Sequence, residues 1–560
     1  MMHRIALFLV ALAGTTGLPA VAQTPTRSDI LVTRLGTVFP DAVQLERSLR
    51  SEELYYMRVN GNIYRLIENE QGWESDLLYT TDSHGLNAPQ GMAIGPDDTI
   101  YLVGNEADDL VTTAWIKRGV RVDPSNPQNH ARTWSTLART EPYPLTGDGF
   151  NHLFNGVVVS PDGAYVFVNS GARSDHGEVH ENAGNFPGLR DIPLTTVIFR
   201  LPADSTDLLL PNDSTALAPY VFARGIRNTF SMAFGPTGDL FGTENSGDRN
   251  DPEELNWIRE GHHYGFPWRM GDNETPQQFP GFDPDQDPLI NPTSTAYLRG
   301  FFYDDPSFPT PPAGVTFTDP IPNRGPDADR YMDPLNGEII DASEAGESIH
   351  SFTAHRSPLG LVFNRSDRII VDAGQVIAEE FREDAFVLSW NDPTTNLLAP
   401  MEDDGEDLLH IDLEKIGDAY VMHATQLVTG FDHPIDAVFD PLETTLYVIE
   451  NGASRGLWEV QLPVMSVDIE PEVPQPDYAL SVYPSPASGS STIAYTLPAD
   501  GAVRIALFDL LGRRLDVLVD ARQAAGPHEV RMDWSDRPAG LYFVRMETAG
   551  RAVIQAVAHR

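Results

Sequence analysis

The sequence predicts an all-β chain: a six-bladed β-propeller followed by a small C-terminal β-sandwich. Three observations carry this. One motif recurs along the chain, an apolar strand, a Pro-Asp-Gly-like turn and a second apolar strand. Its copies are GMAIGPDDTIYLVG from Gly91, GVVVSPDGAYVFVN from Gly156 and SMAFGPTGDLFGTE from Ser231, with looser versions GLVFNRSDRIIVDA from Gly360 and DAVFDPLETTLYVIE from Asp436. Gly and Pro reach 45 each in 560 residues, a density that goes with many turns. The composition then shifts after residue 462, from a strongly acidic body to a near-neutral tail.

Each copy reads as a hairpin, with alternating or fully apolar strands around a turn rich in Gly, Pro and Asp. Successive copies start 65, 75, 129 and 76 residues apart. An interval of about 70 residues exceeds a minimal four-stranded blade and leaves room for long rim loops. The long interval holds a Pro- and Asp-rich run, 270–334, which reads as an insertion. An earlier unit is expected around LYYMRVNGNIYRLI, 54–67, which completes six blades over 29–462. An array of β-sandwiches is the alternative. Near-uniform repeats favour a closed ring, which leaves only short, protected sheet edges.

The ends of the chain read differently. A basic start (His3, Arg4), the apolar run IALFLVALAG and the sequence Ala20-Val21-Ala22 form an export signal over 1–22, too short to span a bilayer comfortably. No other stretch is a candidate span, so the mature chain is expected to carry no transmembrane segment. Residues 463–478 are Pro-rich and acidic, a semi-stiff linker. Beyond it, 479–560 reads as the short strands STIAYTL, AVRIALFDL, HEVRMDW and GLYFVRME, with nine Arg against eight Asp plus Glu. That pattern suits a small sandwich.

Charge and composition exclude several classes. A formal net charge of -43 argues against nucleic-acid binding, which needs a basic surface. The only lysines are Lys117 and Lys415, and such an acidic, Lys-poor protein suits either a saline habitat or a GC-rich genome. With no cysteine, disulfides, thiol nucleophiles and Cys-ligated metals are excluded.

The candidate site lies where polar residues precede the first strand of successive repeats. Asn151-His152 stands before GVVV, Arg227-Asn228 before SMAF, His355-Arg356 before GLVF and His433-Pro434 before DAVF, while the earlier copy has Pro89-Gln90 before GMAI. In a propeller these positions share one rim and converge on the axis. The segment 225–268 adds an acidic, Gly-containing loop after its second strand, with oxygen donors suited to a hard cation.

These residues resemble the soluble glucose and sorbosone dehydrogenase family of six-bladed propellers. The resemblance rests on His152 with Pro161-Asp162-Gly163, and on Arg227-Asn228, Gly238, Glu244, Glu254-Leu255-Asn256 and Gly261-His262-His263-Tyr264-Gly265-Phe266-Pro267. It continues through His355 with Pro358-Leu359-Gly360, Ser389-Trp390-Asn391, and Gly430-Phe431 with Pro434. It implies an oxidoreductase that oxidises a sugar at its anomeric hydroxyl, using pyrroloquinoline quinone (PQQ) and calcium. By the resemblance, His152 is the general base, Arg227 polarises the quinone, and Arg227, Asn228, His355 and Arg356 bind it. Calcium falls to Ser246 and Gly247 through backbone carbonyls, with Asp248 adding charge. The family has Gly-Pro where this chain has Ser246-Gly247, and two extra residues follow before Glu253-Glu254. PQQ carries three carboxylates, for which Arg227, Arg356, Arg173 and Arg269 are the cations at hand, with no lysine near.

The tail resembles the C-terminal sorting domain of the type IX secretion system. The matching residues are Tyr483-Pro484-Ser485-Pro486, Thr492-Ile493-Ala494-Tyr495, Phe508-Asp509-Leu510-Leu511-Gly512-Arg513, Gly526-Pro527-His528 and Ala539-Gly540-Leu541-Tyr542. It implies type IX secretion machinery as a partner, then release or attachment at the cell surface. Two other functions compete for the propeller. One is a metal-dependent lactonase-like hydrolase recruiting Asn155, Asn228, Glu244 and Asp436. The other is a non-catalytic surface propeller that binds glycans or proteins.

Overall fold

The structure is a computed structural model that describes residues 23–560 except 71, 127, 148–149, 366–374, 441–443, 467–479, 498, 510–512, 536 and 549–550. The expected export signal and residues 467–478 of the expected linker lie outside the described residues. The chain divides into two units, 1–466 and 467–560.

Six sheets of three or more strands form a ring in the first unit. Their innermost strands are Ala42–Arg47, Pro89–Ile94, Phe154–Val159, Thr229–Phe234, Pro358–Phe363 and Pro434–Phe439. Each packs on the next and the last packs on the first, so the ring is closed. A cavity of about 280 Å³ runs along the axis and is lined by all six. The inner strands read as nearly continuous apolar runs because a neighbouring blade covers each face.

Close packing at the axis explains why three of these strands carry glycine. A Cβ on Gly91 would overlap the Asn155 carbonyl oxygen of the next blade, and one on Gly156 would lie 2.6 Å from that of Phe230. Aromatic pairs seal the blades further out: Phe167 with Phe234, Phe241 with Phe363 and Phe386 with Phe439, at centroid separations of 5.6, 5.1 and 5.3 Å. Polar stitches join them too. The Leu45 amide donates to Asp436 across the sixth and first blades at 2.7 Å, and the Leu361 amide to Ser231 Oγ at 3.1 Å.

The ring closes through its N-terminus. Leu31–Thr37 is the outer strand of the sixth blade, pairing with Gly456–Gln461, and Thr24–Pro25 extends the fifth. Two hairpins differ from expectation. The segment 54–67 supplies the second and third strands of the first blade, Leu54–Arg58 and Ile63–Asn69, while its inner strand is the preceding Ala42–Arg47. That strand, AVQLER, lacks the Pro-Asp-Gly turn. In the fifth blade, Pro358–Phe363 pairs with Ala385–Ser389. The expected partner, RIIVDA, lies outside the described residues.

The fourth blade has three strands, ending at Glu254–Ile258. The long insertion begins there and reaches the fifth blade, well beyond the expected 270–334, with short elements such as Thr295–Leu298, Arg330–Met332 and Ile339–Asp341. It is anchored on the ring: the Ile321 amide donates to the Leu255 carbonyl at 2.9 Å, and Asn323 bridges to Ile349 and Met422.

The second unit is a sandwich of a three-stranded and a four-stranded sheet around buried Trp534, Ile493, Ile505, Val544 and Met546. The expected strands appear as Ser490–Leu497, Gly501–Phe508, Gly526–Asp533 and Gly540–Thr548. Leu480–Tyr483, Arg514–Gln523 and Arg551–His559 complete the sheets. Among the described residues no helix is long and apolar enough to cross a membrane.

Candidate functional site

The six inner strands run the same way along the axis, so the residues that precede them occupy one rim. Backbone conformation marks this rim as unusual. Leu153, His355, Ser357 and His433, none of them glycine, have φ of 60°, 66°, 53° and 56°. Such residues cost about 1–3 kcal/mol each and persist where the surroundings over-determine them.

The centre of the rim is Asp175, which lies beyond the end of the third blade's second strand, Tyr165–Ser170. The guanidinium of buried Arg227 donates to it twice, Nε to the backbone carbonyl at 2.7 Å and a terminal nitrogen to Oδ1 at 3.0 Å. Another Arg227 nitrogen donates to the Asn245 carbonyl at 3.1 Å, and the Arg227 amide donates to Glu244. The Asp248 amide reaches both Asp175 oxygens at 3.1 Å. Burial alone would raise the Asp175 carboxyl, but His176 and Arg227 outweigh it and hold the group below its usual 3.8.

His152 sits against this group. A Cβ on Gly171 would lie 2.5 Å from His152 Cβ and 3.0 Å from the Arg227 carbonyl oxygen, so only glycine fits between the two. Its Nε2 is shielded from solvent and has no hydrogen-bond partner. Burial, reinforced by the Arg227 charge and opposed by Asp175, keeps the ring well below its usual 6.5 and hence neutral. An unpartnered, neutral ring nitrogen beside a guanidinium can accept a proton.

An amide chain holds Asn228. Asn155 donates to Asn228 Oδ1 at 2.7 Å, Asn169 to Asn155 Oδ1 at 2.6 Å, and Asn228 to Asn245 Oδ1 at 3.1 Å. The neighbouring loop brings Ser246, Gly247 and Asp248 to the same place. Gly247 packs on Asp175, where a Cβ would be 3.0 Å from its carbonyl oxygen. Ser246 Oγ is buried without a partner. Burial and the Asp175 charge push the Asp248 carboxyl up to about 7, and its Oδ2 accepts the Ala296 amide at 2.6 Å.

His355 is buried on the fifth blade's side of the site and bonds Asn250 Oδ1 through Nε2 at 2.8 Å. Burial lowers it to about 4, with Asp175 and Arg227 both acting on it. Arg356 is also buried, paired with both Asp403 and Asp407 and donating to Ser389 Oγ at 3.2 Å. Two carboxylates therefore neutralise it where it stands. Arg173 is likewise occupied, by the Pro144 and Arg190 carbonyls at 2.8 and 2.6 Å, and Arg269 pairs with Asp319.

Of the four residues that a hydrolytic metal would recruit, Asn155, Asn228 and Glu244 lie together at this rim and Asp436 stands apart. Asn155 and Asn228 bond each other, and Glu244 faces the Arg227 amide and Asn256. Asp436 instead lines the axial cavity and accepts the Leu45 and Ala437 amides at 2.7 and 2.9 Å. His433, at the matching position of the sixth blade, lies between Glu406 and Asp432 at 3.0 and 3.1 Å and is raised to about 9.

Asp175 and Asn245 escape a sequence reading that follows only the residues before inner strands. The loop after a second strand returns to the same rim. GARSDHGE after the third blade's second strand parallels the acidic loop NSGDRNDPEE after the fourth's, a signal that could have found Asp175.

A family model described as Glucose / Sorbosone dehydrogenase matches residues 94–297, which include His152, Asp175, Arg227, Asn228 and 246–248 but neither His355 nor Arg356. One described as Secretion system C-terminal sorting domain matches residues 481–558. No curated protein matches the sequence. Among solved structures, the chain is similar to the soluble aldose sugar dehydrogenase from Escherichia coli, with 16% identity, TM-score 0.48, and 77% of this chain and 99% of that one covered. It is also similar to the PQQ-bound aldose sugar dehydrogenase from Streptomyces coelicolor (15%, 0.43, 79% and 100%). A third is the gluconolactonase XC5397 from Xanthomonas campestris (11%, 0.34, 80% and 99%).

Proposed function

We propose that this protein is an exported sugar dehydrogenase that oxidises the anomeric hydroxyl of an aldose, with PQQ and calcium as its cofactors and type IX secretion as its route to the cell surface or beyond. One observation carries the reading. The neutral, unpartnered Nε2 of His152 lies in the same electrostatic cluster as Arg227, whose own position is fixed by Asp175. The sorting-domain match supports the route.

The residues present fit the cofactors. Three of the five Arg227 N–H groups are committed within the protein, leaving two to donate to a quinone oxygen. The buried Ser246 hydroxyl lacks a partner, and its loop supplies hard oxygen donors at Ser246, Gly247 and Asp248 for calcium. Asn228 is oriented by its asparagine neighbours. His355 and Arg356 form the facing side, where Arg356 adds no net positive charge because Asp403 and Asp407 outnumber it.

A bound quinone supplies the hydride acceptor and calcium the Lewis acid that polarises it. The chain's own part is to hold and to deprotonate. His152 takes the proton of the sugar's anomeric hydroxyl on Nε2 as hydride leaves the adjoining carbon. A positioned base of this kind contributes about 10²–10⁴-fold. Arg227, held rigid, offers positive charge where negative charge develops, with no reorganisation at the moment of reaction.

The test is an equilibrium titration of the mature chain with PQQ, with and without calcium. Calcium-dependent, saturable binding that weakens at least tenfold in Arg227→Ala supports the proposal. Absence of binding both with and without calcium rejects the cofactor assignment.

A further inference from the structure

His176 follows the hub residue Asp175, and both of its ring nitrogens face acceptors. Nδ1 is 2.9 Å from Asp175 Oδ2 and 3.4 Å from Glu178 Oε2, while Nε2 is 3.2 Å from the Phe301 carbonyl oxygen. A carboxylate and a carbonyl can only accept, so both nitrogens must donate, which is the hydrogen-bonding pattern of an imidazolium. The ring also stacks on Phe302, with centroids 4.2 Å apart and planes 6° from parallel. Glu178 braces the turn by accepting the Asp175 and His176 amides, each at 2.8 Å, and it bonds His180. Phe301 and Phe302 belong to the long insertion, whose Ala296 amide also reaches Asp248.

The surrounding contacts hold the same turn without His176. Gly177 packs so closely on Pro267 that a Cβ there would overlap the proline ring, and its carbonyl accepts Arg190 at 2.6 Å. Arg190 in turn pairs with Asp305 of the insertion at 2.7 Å. Pro267, near the end of 225–268, thus packs against the loop that carries the hub.

We propose that His176 is a positioning residue that clamps the insertion to the site: one ring nitrogen fixes the Asp175 carboxylate for Arg227 and the 246–248 loop, and the other fixes Phe301–302 as a standing wall. The insertion is then part of the site's frame rather than a mobile cover. The relevance of this clamp to sugar oxidation rests on the proposed function, but the clamp itself is testable without substrate or cofactor.

The two nitrogens can be separated. Asparagine places an amide near Nδ1 and cannot reach Phe301, whereas glutamine places one near Nε2 and does not replace the bond to Asp175. Hydrogen exchange is measured by mass spectrometry on the full mature chain, comparing the segments 294–303 and 245–250. The expected result for His176→Asn is at least tenfold faster exchange in 294–303 with 245–250 within twofold of the parent. His176→Gln is expected to reverse the pattern. Phe302→Leu, which leaves the charges alone, should resemble His176→Asn. Equal effects of Asn and Gln on both segments, or no effect of either, overturn the proposal. If dehydrogenase activity is absent while the exchange pattern appears, only the functional reading fails.

Discussion

At the centre of the rim one carboxylate, Asp175, receives an Arg227 N–H, the Asp248 amide and the His176 ring. Around it stand carboxyls that burial pushes the other way. Glu253 rises to about 8 even though the Ser357 amide donates to it at 2.6 Å, and Glu254 rises to about 7 against bonds from Asn256 and Gly271. A group whose folded value lies above its unfolded one binds more protons folded, so stability falls as pH rises between the two values. For Glu253 that window runs from 4.5 to about 8. Thermal unfolding of Glu253→Gln, followed from pH 5 to 8.5, should show a shallower loss of Tm with rising pH than the parent. An unchanged slope would mean that Glu253 ionises normally. Residue types at strand starts made His152 and Arg227 visible in the sequence. Which cations stay available could not be read there, because Asp403 and Asp407, the partners of Arg356, lie 47 and 51 residues further along the chain.

The hairpin is the element that the sequence displays best, and the reason is physical. Both faces of an inner strand are covered and its turn must be tight, so apolar runs and Gly-Pro-Asp turns coincide. Where either condition lapses the pattern fails. Ala42–Arg47 has no such turn, and the partner of Pro358–Phe363 arrives only at Ala385. The N-terminal strand of the sixth blade is separated from its neighbours by more than 400 residues, beyond any local signal. The glycine that opens several copies has its own physical role. On Gly156 a methyl group would meet two backbone carbonyl oxygens of the next blade, at 2.6 and 2.7 Å, and backbone cannot swing aside. Gly156→Ala should therefore destabilise the propeller by about 1–3 kcal/mol, seen as a lower denaturant midpoint. A midpoint equal to the parent's would show that adjacent blades have room to separate.

At the scale of the whole molecule, the chain joins two units of different charge and, on the proposed function, different roles. One is an acidic ring that holds the site, the other a near-neutral sandwich that matches a sorting domain. Within the ring, the loop 246–248 is drawn onto the same hub as Arg227 and His152. The insertion supplies part of that hub's surroundings, so ring and insertion act as one frame. On the proposed function, this frame oxidises sugars with His152 as base. The decisive experiment is reduction of an artificial electron acceptor by the mature chain, loaded with PQQ and calcium and offered a panel of aldoses, beside His152→Ala loaded in the same way. Aldose-dependent reduction should fall at least 100-fold in the variant while quinone binding persists. Lactone hydrolysis without aldose oxidation, or full oxidation by the variant, would refute the role given to His152 and the ring.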